Sequence, residues 1–527
     1  MKLFQNLIMP IISAVVTIGL TLLIMALIFS ISGVSDFAQT FSMDTSMATS
    51  TSVSELIRVR QGATIELLIG TLLVTMLFAP IVALIGNIRI GTWRFKLLGS
   101  LYAGLPVFWF ALLLLYGFGI SMDIEFMRGG LCEISGGTPC DEIPLTERYQ
   151  YLIAPIMALS MGQLGRVWLR LRHEGGTPIW HSIVHSGINV GWLLSGLIVV
   201  EVIFSLPGLG RLLYTGAIQL DFPVMRGALT QLVILGVITQ TIFQIVLNFL
   251  DLRYAPRAKS KNHPESINDV EKNKDTEPVR MLTVLLRPSV IIGVVVIALV
   301  MIVFPMIVAV MDIDPNRVNI SARNASPSAE YLLGTDSLGR DLLTRILVGT
   351  TRTMGIALTA GIIATVLSVV NGWILSKIPF VKSIIQNFAF GVPIAGIMLL
   401  MVLVFDTNTS LIGILIGLML APFIIAWWLR NPPSRQMTIP VVFGLLLLAV
   451  ADAIMIETLL GFLGLSGQPP VVSLGGIFEE SLLRLNDTIY TMGIILLVIV
   501  RSIYVAAHGL LPQPDYARNH EVVEATS

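Results

Sequence analysis

Chemistry in this chain must come from a small set of ionisable residues placed among apolar ones. Four acids lie in or at the ends of long apolar runs: Glu66, Glu201, Asp452 and Glu457. Lipid solvates a carboxylate poorly, so an acid at that depth is a functional candidate. Asp452, Glu457 and Glu66 are the residues on which a proton relay would rest. The step from Asp452 to Glu457, however, sets them on different faces of a helix. His173, His181 and His185 gather in one polar stretch, where imidazole is more often a surface group than a ligand. The chain contains no G-x-x-x-x-G-K-[ST], no H-E-x-x-H and no G-x-S-x-G. No catalytic residue, metal site or cofactor is expected, and the chain is not read as an enzyme.

The elements that carry these residues are set by composition. Of 527 residues, 55% are hydrophobic and only 13% charged, against about 25% charged in a soluble globular protein. The mean hydropathy is +0.84. Net charge is zero, so no basic surface for nucleic acid is implied. A membrane helix needs about 20 mostly apolar residues. Such windows fall near 7–30, 64–86, 97–120, 151–169, 186–205 and 227–250, then near 287–311, 351–376, 381–405, 410–429, 438–460 and 488–508. The first is too long for a signal-peptide core and is read as a retained span. Pro106 would sit inside the third window and kink it.

Between the two sets of windows lies RYAPRAKSKNHPESINDVEKNKDTEPVR, charged and poor in large apolar residues, which reads as a disordered linker. The expected division is therefore a first half over 1–252, a linker over 253–284 and a second half over 285–527. Arg89, Arg94 and Lys96, then Arg166, Arg170 and Arg172, then Lys377 and Lys382, then Arg430 and Arg435 occupy alternate loops, while the opposite loops are acidic or neutral. Lys and Arg favour cytoplasmic loops. Both termini and the linker are thus expected inside, making two parallel, pseudo-symmetric six-helix halves of an all-α polytopic membrane protein. Cys132 and Cys140 would then lie outside, where a disulfide across CEISGGTPC and a pair of free thiols both remain open.

Several stretches are more specific than hydropathy. In the first half they are LIGTLLVTMLFAPIVALIGNIRIGTW (68–93), GLPVFWFALLLL (104–115) and EVIFSLPGLGRLLYTGAIQLDFPVMRG (201–227). In the second they are LLGTDSLGRDLLTRILVGT (332–350) and ETLLGFLGLSGQPPVVSLGGIFEES (457–481). Glu201 ends an apolar run, and Pro207, Gly208 and Gly210 force a turn that closes on Arg211. It reads either as an interfacial turn with a solvated acid or as part of a gate. Asp336, Gly339, Arg340, Asp341 and Arg345 open another span with charges that alternate in sign, Asp341 and Arg345 at the spacing of a helical ion pair. This reads either as a self-paired helix start or as a gate lip. Glu457 and Gly464 repeat the first turn in the second half.

These strings resemble two permease subunits of a peptide/nickel-type (dipeptide/oligopeptide) ABC importer fused end to end. The resemblance covers most of both halves, in order. It implies a type I importer permease of about twelve spans in the cell's inner membrane. The pathway for a peptide or similar small solute would run between the halves. Separately encoded ATPase subunits and an extracytoplasmic solute-binding protein would be its partners, with the turn motifs named above at the outer gate. The family pattern also includes a long cytoplasmic loop with an ATPase-docking helix before the fifth span of each half. Here RVWLRLRHEGGTPIWHSIVHSGINV (166–190) and WWLRNPPSRQMTIPVV (427–442) are too short to hold it, and Pro432 and Pro433 oppose a helix in the second. Arg172, His173, Thr177 and Trp180 are the candidates for a residual docking element. TPIWHSIVHS also reads simply as the start of the next span, with Thr177 as cap and Pro178 in the first turn. The paired shortening opens an alternative: a permease-like scaffold or accessory subunit of a larger membrane complex that no longer transports.

Overall fold

The structure is a computed structural model that describes residues 7–31, 45–87, 106–124, 127, 145–173, 190–254, 285–311, 314–375, 378–405, 409–430, 438–466, 470–482 and 488–511. Among these residues the regular elements are helices. That follows from the solvent: in lipid a backbone N–H or C=O must find its partner within the chain, and a helix does this locally. The protein is an all-α polytopic membrane protein.

The helices are α1 (Met9–Ile31), α2 (Val53–Asn87), α3 (Val107–Leu114), α4 (Leu145–His173), α5 (Val190–Ile203), α6 (Leu209–Ile218) and α7 (Phe222–Tyr254). After them come α8 (Pro288–Ala298), α9 (Phe304–Met311), α10 (Leu342–Leu375), α11 (Pro379–Gly391), α12 (Ile394–Val404), α13 (Thr409–Arg430), α14 (Thr438–Phe462), α15 (Leu474–Leu482) and α16 (Thr488–Leu510). A π-helical turn, Leu115–Ile120, extends α3, and another, Leu299–Val303, joins α8 to α9. Each apolar window of the sequence carries helix. Among the described residues seven helices are long and apolar enough to cross a membrane, or eight with one bent pair taken as a span. Val107–Ile120, Val190–Ile203 and Leu411–Ala426 are shorter apolar helices.

Two windows differ from the straight spans expected. The one near 381–405 is broken: α11 and α12 meet at 81°. Val392 is extended (φ −89°, ψ 131°) because it precedes Pro393, whose ring disfavours helical backbone in the residue before it. Pro393 then leads α12. Pro106 likewise does not kink a helix. It lies just before α3 with extended ψ of 124°, where its missing N–H removes no helical bond. Pro106 and Pro393 thus both stand just ahead of a helix, α3 and α12.

Packing repeats as well. α2 lies along α4 as α10 lies along α13, and α14 packs on both α10 and α16. α1 crosses from one half to the other, touching α11 as well as α7. There Ser383 donates to Ser13 Oγ at 2.9 Å and Asn387 Nδ2 donates to the same oxygen at 2.8 Å. Small residues bring the other contacts close, as helices in lipid require. A Cβ on Gly236 would lie 2.1 Å from the Gly391 carbonyl oxygen, and one on Gly191 would lie 2.4 Å from that of Val392. The buried apolar residues of α1–α7 and α8–α16 form one continuous core. α7 stays helical through Tyr254, and residues 255–284 of the charged segment lie outside the described residues.

Candidate functional site

The last turn of α5 carries Glu201, which is fully buried. Beyond it the chain turns through Ser205, at a left-handed φ of 51°, and Gly208 leads α6. The first amides of a helix have no partner inside it, and Gly208 has no side chain to offer them. Glu201 caps the helix from across the turn. Its Oε2 accepts the Gly210 N–H at 2.7 Å and the Arg211 N–H at 3.1 Å. From α2, Thr64 donates its hydroxyl to Glu201 Oε1 at 2.7 Å and accepts the Leu209 N–H, also at 2.7 Å. The Arg211 guanidinium closes the turn on the Ser205 carbonyl at 2.7 Å. The glycines are there for space: a Cβ on Gly208 would lie 2.1 Å from the Glu201 carboxylate, and one on Gly210 would lie 2.5 Å from Ile198 Cα. Glu201 is therefore not a solvated interfacial acid.

The second half builds the counterpart at the same offsets. Glu457 is fully buried on α14, and Gly464 turns the chain at a left-handed φ of 76°. Thr353 of α10 donates to Glu457 Oε2 at 2.6 Å, in the place of Thr64. Ser466 donates its hydroxyl to Oε1 at 2.5 Å, standing nine residues after the acid as Gly210 does. Arg352 adds an ion pair at 3.2 Å and binds the Ser466 carbonyl at 2.5 Å. Both acids are thus tied into turns, which leaves a proton relay through Glu457 without structural support.

The segment GTDSLGRD forms a docked loop ahead of α10. Asp336 accepts the Leu338 N–H at 2.8 Å and the Arg340 N–H at 2.9 Å, and takes Arg340 Nε at 2.6 Å. Gly339 is left-handed at φ 74°, and a Cβ there would lie 1.7 Å from the Asn319 carbonyl oxygen. The expected Asp341–Arg345 pair is replaced by other partners. Asp341 caps α10, accepting the Thr344 N–H at 2.8 Å and its hydroxyl at 2.5 Å. Arg345 instead reaches Glu480 of α15 at 2.8 Å and Asp336 at 3.6 Å. The reason is local: a carboxylate directly before a helix is better used on the unsatisfied amides than on a side chain one turn on. Arg340 also binds Glu480, at 2.8 Å. Next to it, burial and then the Glu480 charge push the Glu479 carboxyl above the usual carboxylate range. Burial and then Glu479 raise the Tyr214 phenol on α6.

Thr64, Thr353, Arg352, Glu480 and the α7 cap Asp221, which accepts the Ser46 hydroxyl at 2.5 Å, were not singled out in the sequence. Their partners are far away along the chain, and a lone Thr in an apolar span looks like any other. The available signal was positional: Thr64 and Thr353 both stand near the start of the second span of their half. Of the docking candidates, Arg172 and His173 are the last residues of α4, while Thr177 and Trp180 lie outside the described residues. So do Cys132 and Cys140.

Residues of both parts of the chain line a cavity of about 80 Å3. Phe108, Trp192 and Ser195 line it from the first half, and Asp452, Met455 and Tyr504 from the second. Phe108 is held there by other rings, stacked on Phe462 at 5.7 Å and edge-on to Phe478 at 5.5 Å.

The chain is similar to permeases of peptide transport systems. It is 26% identical over 242 residues to a protein of Brucella ovis named as a peptide permease, an alignment spanning 39% of this chain and 72% of the relative. It is 25% identical over 234 residues to the oligopeptide transport system permease protein AppB of Bacillus subtilis, spanning 38% and 72%. Two permeases named for one D,D-dipeptide transport system of Escherichia coli also match: DdpC at 25% over 31% of this chain and 65% of the relative, and DdpB at 24% over 35% and 67%. No family model matches the chain. These relatives are transport permeases, which fits a protein that is not an enzyme and favours transport over a scaffold role.

Proposed function

We propose that this chain is the membrane pathway of an ABC-type importer for peptides or similar small solutes, with two permease units fused in tandem through the segment 253–284. The observation that carries this reading is the pair of equivalent clamps, Thr64–Glu201 and Thr353–Glu457, each tying a buried glutamate to a threonine of a distant helix. The relatives support it: each of the alignments given above takes less than half of this chain, and two E. coli D,D-dipeptide permeases are among them. On this reading there are twelve spans, both termini are cytoplasmic and the protein lies in the cell membrane. The turn motifs form the outer gate, facing a solute-binding protein. Separate ATPase subunits dock at the opposite end, where only residues 174–189 lie between α4 and α5 and residues 431–437 between α13 and α14.

Purification from native membranes in mild detergent tests this. Co-purified ATPase subunits whose hydrolysis is stimulated by peptide and binding protein are expected. A stable complex with unrelated membrane proteins, with no ATPase in it, would overturn the importer reading.

A further inference from the structure

Arg60 is a cation that the clamp around Glu201 does not use. It stands one turn before Thr64 on α2, on the side that meets the start of α6. It is partly buried, and its guanidinium feels the like charge of Arg211 and the carboxylate of Glu201. The Glu201 oxygens are engaged elsewhere, by the Thr64 hydroxyl and the Gly210 and Arg211 amides. Among the described residues Arg60 makes no hydrogen bond or salt bridge, yet its nitrogens are not sealed inside the protein. Nearby arginines are used differently. Arg58, on the exposed side of α2, pairs with Glu55 at 2.6 Å. In the second clamp Arg352 lies 3.2 Å from Glu457, and Gly349 takes the place of Arg60, four residues before Thr353. The clamp therefore needs no arginine at this position. A partly buried cation beside a like charge is costly to hold without an anion, and a guanidinium fork is shaped for a carboxylate.

We propose that Arg60 binds the terminal carboxylate of a peptide solute. Arg211 stays anchored to the Ser205 carbonyl at 2.7 Å and keeps the turn in place beside it. Tyr214, three residues after Arg211 on α6 and so on the same side of that helix, is within electrostatic reach of Glu479 on α15. That side of α6 is thus turned toward the second part of the chain, where the importer reading puts the mouth of the pathway. The inference rests on that reading for the identity of the solute, but binding itself does not need an ATPase.

The test therefore uses the purified full chain in phosphatidylcholine nanodiscs, with tritiated dialanine as probe. Unlabelled dialanine and dialanine amide, whose C-terminus carries no charge, are the competitors. Saturable binding is expected, with the amide competing about tenfold less well or worse. Arg60→Gln should erase that preference, and Arg60→Lys should keep part of it, because the charge remains but the fork is lost. Equal competition by the two compounds or no saturable binding in the wild-type chain would overturn the proposal, and this comparison needs no variant to fold. An undiminished preference in Arg60→Gln would also overturn it and leave Arg60 as a countercharge to Glu201. In nanodiscs that include phosphatidylglycerol the preference should persist; its loss there would assign the site to a lipid phosphate instead. If the carboxylate preference is found in a chain that recruits no ATPase, the importer reading fails and this site stands. Peptide-stimulated hydrolysis without a carboxylate preference gives the reverse.

Discussion

The Thr64 hydroxyl bridges Glu201 and the first amide of α6, 2.7 Å from each, so one side chain on α2 holds both the carboxylate and the helix it caps. Thr353 holds Glu457 at 2.6 Å in the same way from α10. In both halves the turn that follows a buried glutamate is thereby keyed to a neighbouring span, and movement of that span must be felt at the turn.

Thr64→Val keeps the shape and removes both bonds. It should lower stability by about 1–3 kcal/mol, the cost of leaving buried polar groups without partners. Thr64→Ser should recover most of this. Thermal unfolding of the purified chain in detergent measures the order wild type, Ser, Val; equal melting temperatures for Val and wild type would show the bridge to be energetically idle.

Gly208→Ala places a methyl 2.1 Å from the Glu201 carboxylate, which must then leave its amides. The expected loss is about 1–3 kcal/mol, on the scale of other overpacked sites. Gly62, on the exposed side of α2, is the control, because a Cβ there meets nothing within 4 Å. Gly62→Ala should leave stability unchanged or raise it by up to about 1 kcal/mol through helix propensity.

Arg345 and Glu480 are separated along the chain but 2.8 Å apart in space, with the arginine side chain 4% exposed and the glutamate 33%. Removing the glutamate alone, by Glu480→Gln, leaves the buried arginine without this partner and should cost more than removing both charges with Arg345→Met. A double-mutant cycle should yield a coupling of about 1–2 kcal/mol, less than for a fully buried pair because water reaches Glu480. Strict additivity would refute the coupling.

Glu479 gives a pH signature. Burial, then the adjacent Glu480 charge, raise its carboxyl above the usual value of 4.5. The folded protein therefore holds this proton more tightly than the unfolded chain does. The stability it lends is full below the ordinary value and is lost as pH rises through the raised one. Glu479→Gln should remove that slope, so its melting temperature should gain on wild type as pH climbs from 4 to 8. Parallel profiles would show that the group titrates normally.

Much of this was legible in residue order. Apolar runs of about 20 residues imply helices wherever the solvent is lipid, and each such window carries one. The equal offsets from Glu201 to Gly208 and Gly210, and from Glu457 to Gly464 and Ser466, already announced one turn used twice. The Asp341–Arg345 pair was misjudged because helical spacing counts only neighbours within a helix, and Asp341 stands just outside one, facing bare amides.

Residue order by itself determined the solvent, the helices, the repeat and the places where the chain must turn, because each depends on side chains close together in sequence. Tertiary structure alone decided what the acids do. Glu201 and Glu457 became buried caps because Thr64 and Thr353, more than a hundred residues earlier, arrive beside them. Asp452, on the same helix as Glu457, instead faces a cavity walled by Phe108 and Trp192 of the other half. A carboxylate's role follows from the donors and the dielectric around it, and in this chain those come from spans that only packing brings together.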